Sequence, residues 1–234
     1  FFDVVTYEGD GIDGRTVPHS LGTAPGCMFV KSYSDAQRWI VYHKSLGNQG
    51  SLVLNDATAA DMGGWYWNST DPADMEFTVS GTNRVNDDGK DFVAYLFADT
   101  PGKIKCGEFP GTGSDTTVDV GFKPGWVMYK SSTSALGWYI FSRETTNKAL
   151  TANTTDTEQV ISDFSWTETG FKLNGGSDQF IYIAIAEDAQ AGQMMPTGVL
   201  VADADKGSKS MTLSDVTGTW VNGLKAQSTT QATG

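Results

Sequence analysis

The chain has 234 residues, room for one large domain or two small ones, and it carries 16 Lys+Arg against 28 Asp+Glu for a net charge of −12. So acidic a chain, with only 4 Arg, lacks the electrostatic footprint of a nucleic-acid binder. Its 39 % hydrophobic content excludes intrinsic disorder, and no apolar run approaches the roughly 20 residues that a membrane-spanning helix needs.

The first residues, Phe1-Phe2-Asp3, include no initiator Met and no signal-peptide pattern, as expected of a processed product or a segment of a longer polypeptide. From there the pattern is one of short runs rich in Val, Ile, Tyr, Phe, Trp and Thr, punctuated by Gly, Pro, Asn and Asp. Strands are predicted near 3–8, 14–19, 26–32, 38–43, 51–55, 75–80 and 91–99, then near 104–109, 116–120, 125–131, 137–142, 149–152, 169–174 and 178–187. Asn86-Asp87-Asp88-Gly89 reads as a tight turn, because Asp-Gly supplies a positive φ at little cost. Helical periodicity is weak, and Asn55–Met62 and Thr155–Asp163 are read as short helices or turns.

The two sets of strands are copies of one unit. Tyr7-Glu8-Gly9-Asp10-Gly11 matches Phe109-Pro110-Gly111-Thr112-Gly113, and Met28-Phe29-Val30-Lys31-Ser32 matches Val127-Met128-Tyr129-Lys130-Ser131. Trp39-Ile40-Val41-Tyr42 matches Trp138-Tyr139-Ile140-Phe141, and Phe92–Asp99 matches Phe180–Glu187, in the same order. A fixed order of matches marks an internal repeat. The expected class is therefore all-β, with two tandem antiparallel β-sandwich-like units packed together or merged into one larger jelly-roll-like sandwich. The boundaries are 1–100 for the first unit and 101–188 for the second, with 189–198 a linker and 199–234 a hairpin and tail or a connection onward.

The last strand of each unit is apolar on both faces: Phe92, Ala94, Leu96 and Ala98 on one side, Val93, Tyr95 and Phe97 on the other. One face of an antiparallel sheet usually meets water, so such a strand needs cover twice. Either the units pack on each other or a second chain covers them.

The search for chemistry starts from the rare residues. Cys27 and Cys106 cannot form a disulfide-rich framework, and are expected as free, buried thiols. The only His, His19 and His43, have repeat partners near Val118 and Ser142, so they are expected to be hydrogen-bonded or solvated at strand ends. No Gly-x-Ser-x-Gly elbow, His-x-x-x-His, Cys-x-x-Cys or phosphate loop occurs. Asp203-Ala204-Asp205-Lys206-Gly207 resembles the start of a calcium loop without its distal Glu, and is read as a hairpin turn. No metal, no cofactor and no catalytic residue is assigned. Trp39 and Trp138, equivalent in the repeat, are expected in the core. Trp65-Tyr66-Trp67-Asn68, followed by Asp71, sits among Gly and Asn in a loop. If it were extended, Trp65 and Trp67 would face one way. An aromatic face beside Asn and Asp suits stacking on a sugar, and it equally suits an intersubunit contact or the core. Trp65, Tyr66, Trp67, Asn68 and Asp71 form the candidate ligand-binding set.

Val4-Val5-Thr6-Tyr7-Glu8-Gly9-Asp10-Gly11, Arg15-Thr16-Val17-Pro18-His19-Ser20-Leu21-Gly22 and Val41-Tyr42-His43-Lys44-Ser45-Leu46-Gly47 closely resemble a duplicated domain of unknown function in tail-fibre-like virion proteins of tailed, often marine, bacteriophages. Trp67–Pro72 and Phe92–Ala98 continue the likeness, as do Gly121-Phe122-Lys123-Pro124 and Ile181–Glu187 in the second copy. The resemblance covers about residues 2–188. It implies a non-enzymatic structural component of a virion, assembled in the host cytoplasm: a tail-fibre or appendage module displaying loops for attachment to host surface glycan. Other virion proteins would be its partners, and a homotrimer its expected assembly. A capsid decoration or head-fibre protein, and a glycan-cleaving depolymerase domain, are the competing readings. No nucleic-acid partner and no membrane insertion are expected.

Overall fold

In a computed structural model, residues 1–145, 148–174, 176–187, 197–200 and 213–217 are described. The chain divides into two compact units, Phe1–Ala189 and Gln190–Gly234. In the smaller unit, Thr197–Leu200 and Leu213–Thr217 pair as an antiparallel hairpin, its first strand beginning in the expected linker. The Asp203–Gly207 segment lies outside the described residues.

The larger unit is built almost entirely of antiparallel strands. The first copy holds β1 (Phe2–Glu8), β2 (Arg15–Pro18), β3 (Cys27–Ser32), β4 (Ile40–His43), β5 (Leu52–Val53), β6 (Glu76–Val79) and β7 (Asp91–Phe97). The second holds β8 (Ile104–Pro110), β9 (Asp115–Asp119), β10 (Pro124–Ser131), β11 (Tyr139–Ser142), a 3-10 turn at Arg143–Thr145, β12 (Lys148–Thr151), β13 (Gln159–Val160), β14 (Phe164–Trp166), β15 (Gly170–Asn174) and β16 (Gln179–Ala186). Residues 55–62 form no helix, and β13 occupies part of the other region read as helix or turn. Neither β13 nor β14 carries a repeated apolar run, and two or three residues are too few to show a period.

The repeat holds at the level of topology. The large sheet of the first copy runs β1-β7-β3-β4-β5, and that of the second runs β8-β16-β10-β11-β12 with β13 added at the edge. Each copy closes its sandwich with a small sheet, β2-β6 in the first and β9-β15-β14 in the second. Among the described residues no sheet mixes strands of the two copies, so the pair is two stacked sandwiches rather than one shared jelly roll. Gly9 shows why a turn glycine recurs: a Cβ there would lie 2.1 Å from the carbonyl oxygen of Asp87. The side chain of buried Asn86 clamps the same loop, donating to Asp10 Oδ1 and to the Ile12 carbonyl.

Three apolar layers result. Phe92, Ala94 and Leu96 on one face of β7 join Val17, Phe77 and Val79 of the small sheet in the first core. Phe180, Tyr182 and Ala184 of β16 join Val118, Phe171 and Leu173 in the second. The opposite faces meet in a third core between the large sheets: Phe29 and Val41 pack with Cys106, Met128, Ile181 and Ile183, and Tyr95 and Phe97 are packed against them. The copies thus cover each other. Fully burying one such large side chain contributes about 1.5–3 kcal/mol.

Polar contacts pin this central layer. His43 is buried; its Nε2 donates to the Tyr182 carbonyl at 3.1 Å and its Nδ1 accepts the Ser45 N–H at 3.2 Å. Trp138 Nε1 donates to the Val53 carbonyl at 2.9 Å, and the Ala60 N–H donates to the Ser132 carbonyl at 2.9 Å. Lys130 is buried on the same face as Met128, its Nζ donating to the carbonyls of Ser131 and Ser134. Its repeat partner Lys31 donates likewise to Ser32 and Asp35. Burial pulls the Lys130 ammonium down to about 8. Trp138 is buried as expected, whereas Trp39 is only half-buried and lines an apolar groove with Phe1, Phe2, Tyr95 and Phe97 at the sandwich edge.

Replacing Trp138 with Ala removes a central core side chain and its cross-copy hydrogen bond. Urea denaturation should show a loss of about 3–5 kcal/mol. Acid should loosen the same layer. Burial pulls His43 from 6.5 down to about 4, so between those values unfolding takes up a proton. Stability should fall as pH drops through that window, by roughly 3 kcal/mol in all. A His43→Gln variant, less stable at pH 7, should lose this component of the slope in denaturation curves collected at several pH values.

Candidate functional site

The candidate aromatic segment lies between β5 and β6 and is not extended: residues 66 and 67 form a bend. Trp65 is 60 % exposed and Trp67 is 1 % exposed, which corrects the expectation that the two indoles share a face. Trp67 packs edge-on to Tyr42 at 5.6 Å and donates from Nε1 to the Gly50 carbonyl at 3.0 Å. The repeat explains its burial. The Ser80 N–H bonds the Tyr66 carbonyl just as the Asn174 N–H bonds the Asp163 carbonyl, so Trp67 stands where Phe164 stands. Phe164 is likewise buried, stacked on Phe141 at 3.7 Å.

Asn68 and Ser69 are exposed and adopt left-handed φ values of 49° and 51°, each costing on the order of 1 kcal/mol or more outside glycine. Asn68 lies beside Gly14, and Asp71 is exposed. Of the five candidate residues, the structure brings together only Trp65 and Tyr66. They line a cleft of about 330 Å³ with Asp61, Thr82, Asn83 and Arg84. The last four were missed by sequence reasoning. Thr82–Arg84 reach the cleft from the β6–β7 loop, and no local pattern announces that approach.

Each wall of the cleft is held by the backbone. Asp61 and Ser51 exchange two main-chain hydrogen bonds of 2.9 Å, and Asp61 Oδ1 accepts the Gly63 N–H at 2.8 Å. The pyrrole edge of Trp65 lies against Gly63, where a Cβ would come 2.0 Å from Nε1. Ser80 Oγ donates to the Trp65 carbonyl at 2.5 Å. On the other wall the N–H groups of Val85 and Asn86, both fully buried, donate to the Thr82 carbonyl. At the base Tyr66 is buried, and its hydroxyl accepts from Arg84 Nη1 at 2.6 Å. The result is an exposed indole platform beside an amide, a hydroxyl, a carboxylate and a guanidinium, all on short anchored loops. That arrangement can stack on an apolar ring face while hydrogen-bonding its substituents.

The other rare groups are engaged elsewhere. His19 is buried beside Phe77 with its Nε2 near the Ala73 carbonyl, 3.2 Å away. By the hydrogen bonds of the small sheets its repeat partner is Val120, which donates to Thr169 as His19 donates to Met75. Cys27 and Cys106 are free and buried, and burial pushes both thiols up, away from thiolate chemistry at neutral pH. Among the described residues no group of three His, Cys, Asp or Glu is placed to hold a metal ion. No helix among them is long and apolar enough to cross a membrane.

A family model described as a domain of unknown function (DUF7483) matches residues 1–189. No curated protein and no solved structure matches the chain. The opposite fates of the two indoles are open to measurement. Trp67→Ala should cost about 3–5 kcal/mol of stability, and Trp65→Ala should change it by less than about 0.5 kcal/mol, both read from urea midpoints.

Proposed function

The chain belongs to the DUF7483 family over residues 1–189, and we propose that it is a non-enzymatic structural component of a bacteriophage virion. In this reading it is a tail-fibre or appendage module that attaches to host surface glycan. The observation that carries the attachment role is the cleft: Trp65 stands 60 % exposed on an anchored loop, beside side chains able to bond hydroxyl groups. An exposed indole offers a ligand a large apolar face. The resemblance of the Val4–Gly11, Arg15–Gly22 and Val41–Gly47 segments to phage virion proteins supports the setting.

Stiffness supports the same role. Two sandwiches stacked through a shared apolar layer hold the loop in a fixed orientation, so little ordering is left to offset on binding. Each contact is small, and several copies in a trimeric fibre would raise the effective concentration of the next contact. A depolymerase reading finds less support, since glycan cleavage ordinarily uses two carboxyl groups flanking the bond. Asp61 is the one acid lining the cleft.

Antibody raised to this chain should label a tail appendage in negative-stain micrographs of virions. Labelling of the head would favour a decoration or head-fibre protein instead. Polysaccharide extracted from the host surface should bind the full chain and release no reducing ends. Trp65→Ala should weaken that binding at least tenfold, about 1.4 kcal/mol. Equal binding by the two proteins would overturn the role of the cleft.

A further inference from the structure

We propose that the cleft selects acidic saccharides, in which a sugar ring bears a carboxylate as in uronates and sialates, and that Arg84 reads the charge. The inference rests on the glycan-attachment reading above and concerns the same cleft.

Arg84 differs from the other arginines of the chain. Arg15 faces Asp10 at 3.5 Å and lies over the Tyr7 ring. Arg38 pairs with Asp56 at 3.2 Å. Arg143 donates to the carbonyls of Pro124 and Thr167 and covers Trp166. Arg84 is half-buried, and among the described residues its one hydrogen-bond partner is the Tyr66 hydroxyl, engaged through Nη1. A guanidinium carries five N–H donors in a planar fork. The donors on Nε and Nη2 therefore have no protein acceptor among the described residues. Asp61 lines the same cleft without forming an ion pair with Arg84; its Oδ1 is taken by the Gly63 N–H.

The remaining donors of Arg84 are not buried and are open to a ligand, and a planar carboxylate matches the guanidinium fork in a bidentate manner. The indole of Trp65 beside it offers a flat apolar surface for the C–H face of a sugar ring, while Thr82, Asn83 and Asp61 are placed to bond hydroxyl groups. The volume, about 330 Å³, lies at the small end of the roughly 300–1,000 Å³ typical of ligand clefts. It suits a terminal sugar residue rather than a long stretch of chain. The net charge of −12 does not forbid this, because charges on the rest of the surface are screened beyond about 8 Å at physiological salt. It makes the contact local and confines recognition of the anion to this cleft.

The test uses the full chain and a panel of uronate- and sialate-terminated oligosaccharides, each paired with its neutral methyl ester and accompanied by neutral sugars. Calorimetry or a glycan array should show at least one acid bound tenfold or more tighter than its ester, with the gap narrowing as salt rises. Arg84→Gln should erase the gap and leave the ester's affinity in place. Arg84→Lys should keep part of it, and Trp65→Ala should weaken acid and ester alike. Urea curves for the variants separate lost recognition from lost folding. If wild-type protein binds acid and ester equally, or if Arg84→Gln retains the preference, acid selection is overturned and the glycan reading stands. If wild-type protein binds no saccharide of the panel, neutral sugars included, both fail.

Discussion

Two strands apolar on both faces, β7 and β16, set the architecture of the larger unit. Each lies second from the edge of its large sheet, so neither face can be left to water without exposing a row of large side chains. A small sheet covers one face of each, and the only remaining cover within the unit is the other copy. Stacking the large sheets follows from that need, and the cross-copy hydrogen bonds of His43, Trp138 and Ala60 fix how the faces meet. The same layer explains buried groups that would otherwise be costly. Lys130 can be buried because two carbonyls accept hydrogen bonds from its ammonium. His43 stays neutral because burial disfavours its charged form, and its two ring nitrogens, one donating and one accepting, are both satisfied.

The copies do not contribute equally. On the outer face of the edge strands, Val4 stands where the second copy has Cys106; Val4 is 45 % exposed and Cys106 is fully buried. The sheets are therefore offset, leaving β1 partly uncovered. The aromatic cleft also belongs to one copy alone. The stretch from Leu54 to Trp67 is nearly as long as its match from Ala152 to Phe164, but in the first copy it carries Asp61, Gly63 and Trp65. The second copy holds the β5–β6 segment from behind, through the bond from Ala60 to Ser132. One copy carries the cleft and the other supports it.

Most of the strands were legible in the sequence because two copies of one pattern state each strand twice. Phe92–Ala98 and Phe180–Ala186 show the same alternation, and it predicts both the strands and their double burial. β13 and β14 were not legible, having no counterpart pattern in the first copy. The candidate site was legible only where a residue's surroundings are local. Trp65 rests against its own Gly63, a contact between near neighbours in sequence. The burial of Trp67 depends on Tyr42 and Gly50, and its equivalence to Phe164 appears only through matching hydrogen bonds. Arg84 had no signal in the sequence, because what distinguishes it, the lack of an ion pair among the described residues, depends on neighbours in space.

The bonds that cross the central layer share one asymmetry. The His43 imidazole, the Trp138 indole and the Ala60 amide each meet a main-chain carbonyl, of Tyr182, Val53 and Ser132. A carbonyl belongs to every residue type, so the acceptor positions tolerate any side chain that keeps the strand in place. Where the donor is a side chain, its position does not. One partner of each such bond can therefore change residue type without breaking it. Two copies joined in this way can differ in sequence at the acceptor positions and remain locked, each with a surface of its own.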